Sequence, residues 1–236
     1  SRLYVYADDS LGGRSSGTPE NDKATAIIAE WAKKMGLAPM GDSGTFFQAV
    51  PLVRRSWDVT SPVVGTTTFA YQKDFGVFAQ WGTRPFDGAD IVYGGLLGDT
   101  SAHITADQTR GKVVVFGFTP EVVAKGLQAQ FTFALGRPVF AAAAIVLPML
   151  DDAPAAVRSL FMRRDNVSTP AGAGGMMLPP VIVASNAMAE ALVGGPLASR
   201  KWGTVAGRYA GKVALVETAA SARNVVAKLE GSDPVL

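Results

Sequence analysis

The sequence predicts an α/β fold: a mixed, β-rich core with flanking helices, preceded by an amphipathic N-terminal helix. Three features carry that expectation. A helical period runs through residues 18 to 35. The Val-rich runs ADIVYGG (89 to 95) and GKVVVFGF (111 to 118) have the texture of central strands covered on both faces. The phrase PPVIVASNAMAEALVG (179 to 194) reads as a strand turning directly into a helix.

The N-terminal helix is the clearest element. Thr18 is placed to cap it, and Pro19 occupies the first helical position, where a missing N–H costs nothing. Ala24, Ile27, Ile28, Trp31 and Met35 recur at helical spacing, the charged residues take the other side, and Gly36 stops the helix. The preceding run DDSLGGRSSGT (8 to 18) is glycine-rich but has neither GxxxxGK[ST] nor GxGxxG spacing, so it reads as a turn into the helix. The segment SGTFFQAVPLV (43 to 53) and the helix have apolar faces that need covering by the strand domain, a second copy of the chain or a further domain.

From about Ser56 the texture changes to short strands and turns. TTTFAY (66 to 71) and VFAQW (77 to 81) flank a hairpin-like reversal. GDTSAHITADQTRG (98 to 111) is a polar connection, and Pro120 to Leu135 has a helical stripe. The alanine run 141 to 144 reads as helix passing into a short strand at Ile145 to Leu147. A short helix starts near Pro154, and TPAGAGGMM (169 to 177) is a turn-rich loop. Val181 to Ala184 is a strand. Ser185 or Asn186 caps the helix after it, with Glu190 near enough to satisfy early amides. GKVALVETA (211 to 219) and RNVVAKL (223 to 229) read as two more strands before a terminal loop, GSDPVL.

Composition removes several kinds of chemistry. The 236 residues hold one His and no Cys, so thiolate nucleophiles, disulfides and cysteine metal sites are absent together. Lys and Arg total 22 against 20 Asp and Glu, scattered along the chain, which gives no footprint for nucleic acid. The most apolar stretch, Pro138 to Leu150, falls short of the roughly 20 residues a membrane span needs. No basic and apolar leader opens the sequence, and Ser1 reads as a processed or trimmed start.

His103 with Asp99 and Asp107 forms a set of three in a polar loop, more simply a solvated surface than a metal site. No GxSxG elbow surrounds Ser10, Ser15, Ser16, Ser185 or Ser221. Asp8 with Asp9 and Asp151 with Asp152 are adjacent acids, better suited to helix starts than to the two sides of a glycosidic bond. Trp31, Trp57, Trp81 and Trp202 lack the spacing of a stacking platform and read as core or domain-contact residues. No residue is assigned a catalytic, cofactor-binding or metal-binding role.

The opening phrase ADDSLGGRSSGTPENDKATAIIAEWAKKMGLAPMGDSGTFFQAVPL, with Gly13, Arg14, Gly17, Thr18 and Pro19, resembles the N-terminal segment of zinc-dependent aminopeptidases of peptidase family M28. ADIVYGG, GKVVVFGF, LPPVIVASNAMAEAL and GKVAL resemble that family's protease-associated (PA) insert domain, and RNVVAKLEGSDP resembles the strand and loop where the peptidase domain resumes. The resemblance implies a PA-type domain at residues 57 to 220. Residues 1 to 56 and 221 to 236 would then belong to the peptidase domain, with the flanks around 55 to 60 and 219 to 224 close together. It also implies a secreted or periplasmic location, and a parent that uses two zinc ions and metal-activated water. The zinc ligands of relatives follow the RNVVAKLEGSDP position, so none transfers to this sequence.

On this reading the chain is a non-catalytic accessory region of a metallopeptidase. Its expected partners are the missing peptidase domain, a peptide or protein ligand, or a second copy through the exposed N-terminal helix. A stand-alone peptide- or protein-binding module is the alternative. An enzyme complete within the chain is the least supported reading.

Overall fold

A computed structural model describes residues 2–78, 83–97, 99, 104–125, 139–162, 165–170 and 178–231. Along the chain come helices α1 (Arg2–Tyr6) and α2 (Pro19–Lys34), then strands β1 (Ala38–Pro39), β2 (Phe47–Thr60), β3 (Val63–Val64), β4 (Thr67–Thr68), β5 (Phe75–Phe78) and β6 (Phe86–Leu97). Helix α3 (Ala106–Thr109), strand β7 (Val113–Phe118), helix α4 (Pro120–Lys125), strand β8 (Ala144–Leu147), helix α5 (Ala155–Phe161) and strand β9 (Asp165–Ser168) follow. Strand β10 (Val181–Ala184), helix α6 (Asn186–Val193), and strands β11 (Val205–Val225) and β12 (Ala227–Lys228) complete the order. The architecture is mixed α/β, with a β-rich core, flanking helices and an amphipathic helix near the N-terminus.

The chain folds as two compact units. The smaller comprises Ser1–Arg55, Asp165–Pro170 and Glu217–Leu236, and the larger comprises Ser56–Arg164 and Ala171–Val216. Strands β2 and β11 each contribute residues to both. The hydrogen-bonded strand order is β5-β10-β8-β7-β6-β11-β2-β9.

In the larger unit β6, β7, β8 and β10 run parallel, while β5 pairs antiparallel with β10 and β11 antiparallel with β6. Alternate residues point to opposite faces of a strand, so a strand covered on both faces has apolar residues at every position. Val113 and Val115 of β7, Val146 of β8 and Ile182 of β10 join one core with Met188 and Leu192 of α6. Val114, Phe116, Ile145, Leu147 and Val183 join a second core with Met149, Leu150 and Phe161. The Val-rich texture expected to mark central strands does so.

Helix α6 begins where the sequence places it, with the Ser185 hydroxyl accepting from the Met188 amide at 3.2 Å, and it ends at Gly194 in the left-handed conformation. Its early amide is not served by Glu190. Asp151 Oδ2 accepts from the Asn186 amide at 2.7 Å, from 35 residues away. Helix α5 starts after Pro154, as expected.

Three local expectations are corrected. Among the described residues, Val77 and Phe78 do not pair with TTTFAY: β3 and β4 form their own small hairpin, and β5 pairs instead with β10, whose buried Val181–Ala184 offers a better apolar partner. The alanine run is not helical. Residues 141–143 form a turn, and Ala144 already belongs to β8, fixed between β7 and β10. The stripe from Pro120 is helical through Lys125, and 126–138 lie outside the described residues. The two C-terminal strands are one 21-residue strand, β11, followed by the short β12.

In the smaller unit α2 has the predicted cap, the Thr18 hydroxyl accepting from the Asn21 amide at 3.4 Å, with Glu20 and Asp22 in its first turn and Lys33 and Lys34 in its last. Its buried face is Ala24, Thr25, Ala29 and Ala32; Ile27, Ile28 and Trp31 are half-buried and Met35 is 53% exposed. Small side chains let the backbone come close to its neighbours. Arg223 of β11 exploits this, donating to Thr25 Oγ1 at 2.8 Å and to the Asp22 carbonyl at 2.6 Å while lying 3.8 Å from the Phe47 ring centroid. The helix therefore has a partner strand within its own unit. No helix among the described residues is long and apolar enough to cross a membrane.

Candidate functional site

The residues weighed for chemistry are dispersed, and most of them do structural work. His103 and Trp81 lie outside the described residues. Asp107 pairs with Arg110 at 3.4 Å with both side chains largely exposed, next to the capping box of α3 formed by Thr105 and Gln108. Asp8 caps the start of the 3-10 segment Asp9–Arg14, which is kinked at Gly12 and Gly13. Hydrogen bonds from Ser10, first its side chain and then its amide, hold the Asp8 carboxyl below the ordinary range. Asp151 caps α6, and Ser185 is occupied as the other cap of the same helix. Ser15 gives its carbonyl to the Thr18 hydroxyl at 2.8 Å, and Ser221 sits on β11. Trp57 packs against the first core, Trp31 stacks at a tilt with Tyr6, and Trp202 is 36% exposed.

The glycine-rich opening is built for a turn. Gly12, Gly13 and Arg14 have φ of 47°, 76° and 58°, so the backbone doubles back before α2. Arg14 donates to the Tyr6 carbonyl, its guanidinium lies 4.9 Å from the Tyr6 ring centroid, and its own carbonyl accepts from Asn21 Nδ2 at 3.2 Å. These contacts tie α1, the turn and the start of α2 together. Gly17 gives its carbonyl to Arg54 Nη2 at 3.1 Å.

Two charged sites went unnoticed in the sequence. One is a depression of about 330 Å³ in the larger unit, lined by Thr60, Asp87, Gly88, Arg208, Ala210, Gly211 and Lys212. Its shape follows from β6 pairing with β11 through two register shifts, after Val205 and after Tyr209. Gly88 has φ of 65°, and a Cβ there would sit 2.9 Å from Arg208 Nη2; a Cβ on Gly211 would sit 2.8 Å from the Thr60 carbonyl oxygen. Lys212 pairs with Asp58 at 2.6 Å, and Arg208 with Asp90 at 3.6 Å. The hydrogen bond to Asp58, then its charge, raises the Lys212 ammonium above its ordinary pKa. This is a polar surface whose charges are paired with one another.

The second site lies in the smaller unit, on β2. Arg54 pairs with Asp165 at 2.6 Å, and Arg55 pairs with Glu217 at 2.5 Å and donates to Ser168 Oγ. The ArgArg pair was visible in the sequence, but its partners stand more than 100 residues away and no local pattern names them.

The buried phenols carry no acid-base role at neutral pH. Burial pushes Tyr93 up to about 12 and raises Tyr209 further. Tyr93 donates to the Leu197 carbonyl at 2.7 Å, whereas the Tyr209 hydroxyl has no hydrogen-bond partner among the described residues. The two zinc ions implied for a parent enzyme have no matching donor set here: among the described residues no three of His, Asp and Glu are grouped.

No family model matches the chain, and no curated protein matches it. Among solved structures it is similar to an aminopeptidase from Aneurinibacillus sp. strain AM-1, at 17% identity and a TM-score of 0.46 over 99% of this chain and 49% of that one. It is also similar to a peptidase M28 precursor from Shewanella amazonensis SB2B, at 14% identity and a TM-score of 0.43 over 98% of this chain and 52% of that one. The chain thus spans about half the length of the solved structures it matches.

Proposed function

We propose that this chain is the non-catalytic accessory region of a secreted zinc aminopeptidase, in which the larger unit is a PA-type domain inserted into the N-terminal part of a peptidase domain. One observation carries the reading. The two phrases that resemble the flanks of the insert lie at opposite ends of the sequence, yet Ser1–Arg55 and Glu217–Leu236 fold into one unit. The phrases that resemble the insert, ADIVYGG, GKVVVFGF and LPPVIVASNAMAEAL, all fold into the other. An inserted domain needs its incoming and outgoing segments side by side, and β2 and β11 are hydrogen-bonded neighbours.

In this role the larger unit controls substrate access or docks a protein or peptide, and the parent hydrolyses peptide bonds with metal-activated water. The test is the denatured mass of the polypeptide recovered from its native source with an antibody raised against this chain. A species well above 24.6 kDa that binds zinc and cleaves leucine p-nitroanilide is expected, while the 236-residue chain alone, supplied with zinc, turns over none. A native polypeptide of 24.6 kDa with no zinc and no peptidase activity would overturn the proposal.

A further inference from the structure

One short stretch belongs to a different unit from the chain on either side of it. Asp165–Pro170 folds with the smaller unit, while the chain up to Arg164 and from Ala171 belongs to the larger. The stretch supplies β9, which stands at the end of the strand order beside β2. Its four residues are exposed or half-buried, so burial contributes little to holding it.

What holds it, besides its backbone pairing with β2, is a few polar side chains. Successive residues of a strand point to opposite faces, and the two arginines of β2 use this to grip β9 from both sides. Arg54 takes Asp165 Oδ2 at 2.6 Å and reaches the Gly17 carbonyl at 3.1 Å, while Arg55 takes Ser168 Oγ and is itself positioned by Glu217. The one apolar contribution is Val167, which closes over Gly17: a Cβ on Gly17 would sit 3.2 Å from Val167 Cγ1. Exposed ion pairs contribute little and are screened by salt. Short, weakly buried edge elements open at a lower free energy than the core they border.

We propose that β9 is a releasable clasp. It leaves β2 while both compact units stay folded, and its state sets how many chain segments connect them. With β9 docked, the chain passes between the units four times; with β9 released, only β2 and β11 connect them. The proposal does not depend on the peptidase reading, since it concerns connectivity present in this chain.

Amide hydrogen exchange on the intact chain tests it. Amides of Asp165–Ser168 should exchange about 100-fold or more faster than those of Val113–Phe116 in β7. The double variant Asp165→Asn with Ser168→Ala should speed β9 by roughly a further tenfold while leaving β7 and β8 unchanged. Equal protection of β9 and β7, no acceleration of β9 in the double variant, or acceleration of β7 and β8 together with β9 would each overturn the clasp. A second readout uses the absence of native cysteine: Asn166→Cys carries a unique spin label at an exposed position of β9. A mobile spectral component that grows in 1 M salt (about 3 Å screening length) is expected. A single immobile component at low and high salt would refute release.

Discussion

Two buried tyrosines give a test of the packing in which the same substitution has opposite effects. Tyr93 and Tyr209 both lie in the first core and are essentially inaccessible, at 1% and 0% exposure. Tyr93 donates to the Leu197 carbonyl at 2.7 Å. Removing that hydroxyl leaves the carbonyl with only the long 3.4 Å bond from the Arg200 amide. A buried acceptor left underserved costs about 1–3 kcal/mol, so Tyr93→Phe should destabilise by roughly 1–2 kcal/mol. The Tyr209 hydroxyl has no partner among the described residues, although its ring packs edge-on to Phe86 at 5.4 Å. Tyr209→Phe keeps the ring and removes an unsatisfied buried donor, and should stabilise by up to about 1 kcal/mol. Urea unfolding reads both: the midpoint falls for one and rises for the other, with the slope m unchanged. If Tyr209→Phe destabilises as much as Tyr93→Phe, the Tyr209 hydroxyl is hydrogen-bonded in solution, to an ordered water for example, and the argument from its isolation fails.

The same phenols set the alkaline limit of stability. Folded Tyr93 has its pKa raised from 10.0 to about 12, so its contribution is intact below pH 10 and is lost as pH rises toward 12. Each phenol should lower stability by roughly 1.4 kcal/mol per pH unit over that window, so the slope in Tyr93→Phe should be about half that of the parent, as read by urea midpoints at successive pH values. Gly76→Ala should unseat the edge of the larger unit, because a Cβ there falls on the Phe161 carbonyl oxygen at the end of α5. A loss of about 3 kcal/mol is expected, and a wild-type melting temperature would refute that close approach. Ser185→Ala and Asp151→Ala should each cost about 1 kcal/mol by uncapping α6, with fraying confined to the Asn186–Met188 amides in hydrogen exchange.

Elements defined by nearby residues were legible. Thr18 and Pro19 place the start of α2, Ser185 and Gly194 bracket α6, and the uninterrupted apolar runs of β7 and β10 announce strands covered on both faces. What failed depends on partners remote in sequence. Ala144 is helix-favouring by propensity but is fixed as strand by Val113 of β7, at the start of a strand that β10 pairs from Ile145 onward. Phe75–Phe78 pairs with Val181–Ala184 rather than with its sequence neighbours. The buried face of α2 follows Ala24, Thr25, Ala29 and Ala32, since Arg223 approaches from that side, and a stripe of bulky residues could not reveal a contact made by small ones. The depression and the arginine pair on β2 are likewise assembled by sheet register, which no periodicity encodes.

Strand β11 shows why the largest misreading and the division into units have one origin. Tyr209, Gly211 and Val213 are buried at alternate positions, then burial lapses, with Val216 through Ala219 all exposed. A sequence reading based on apolar periodicity ends one strand there and begins another. The backbone continues because its donors and acceptors are satisfied by the neighbouring strand whatever the side chains do. Hydrogen-bond continuity and core continuity are therefore separate properties of one strand. The boundary between units at Val216 and Glu217 falls where the second lapses and the first does not. Charged side chains are the natural occupants of such a crossing, since Glu217 and Arg55 satisfy each other without a core to bury in. Cooperative stability follows buried area, so a strand of 21 residues can belong to two stability units while remaining one element of secondary structure.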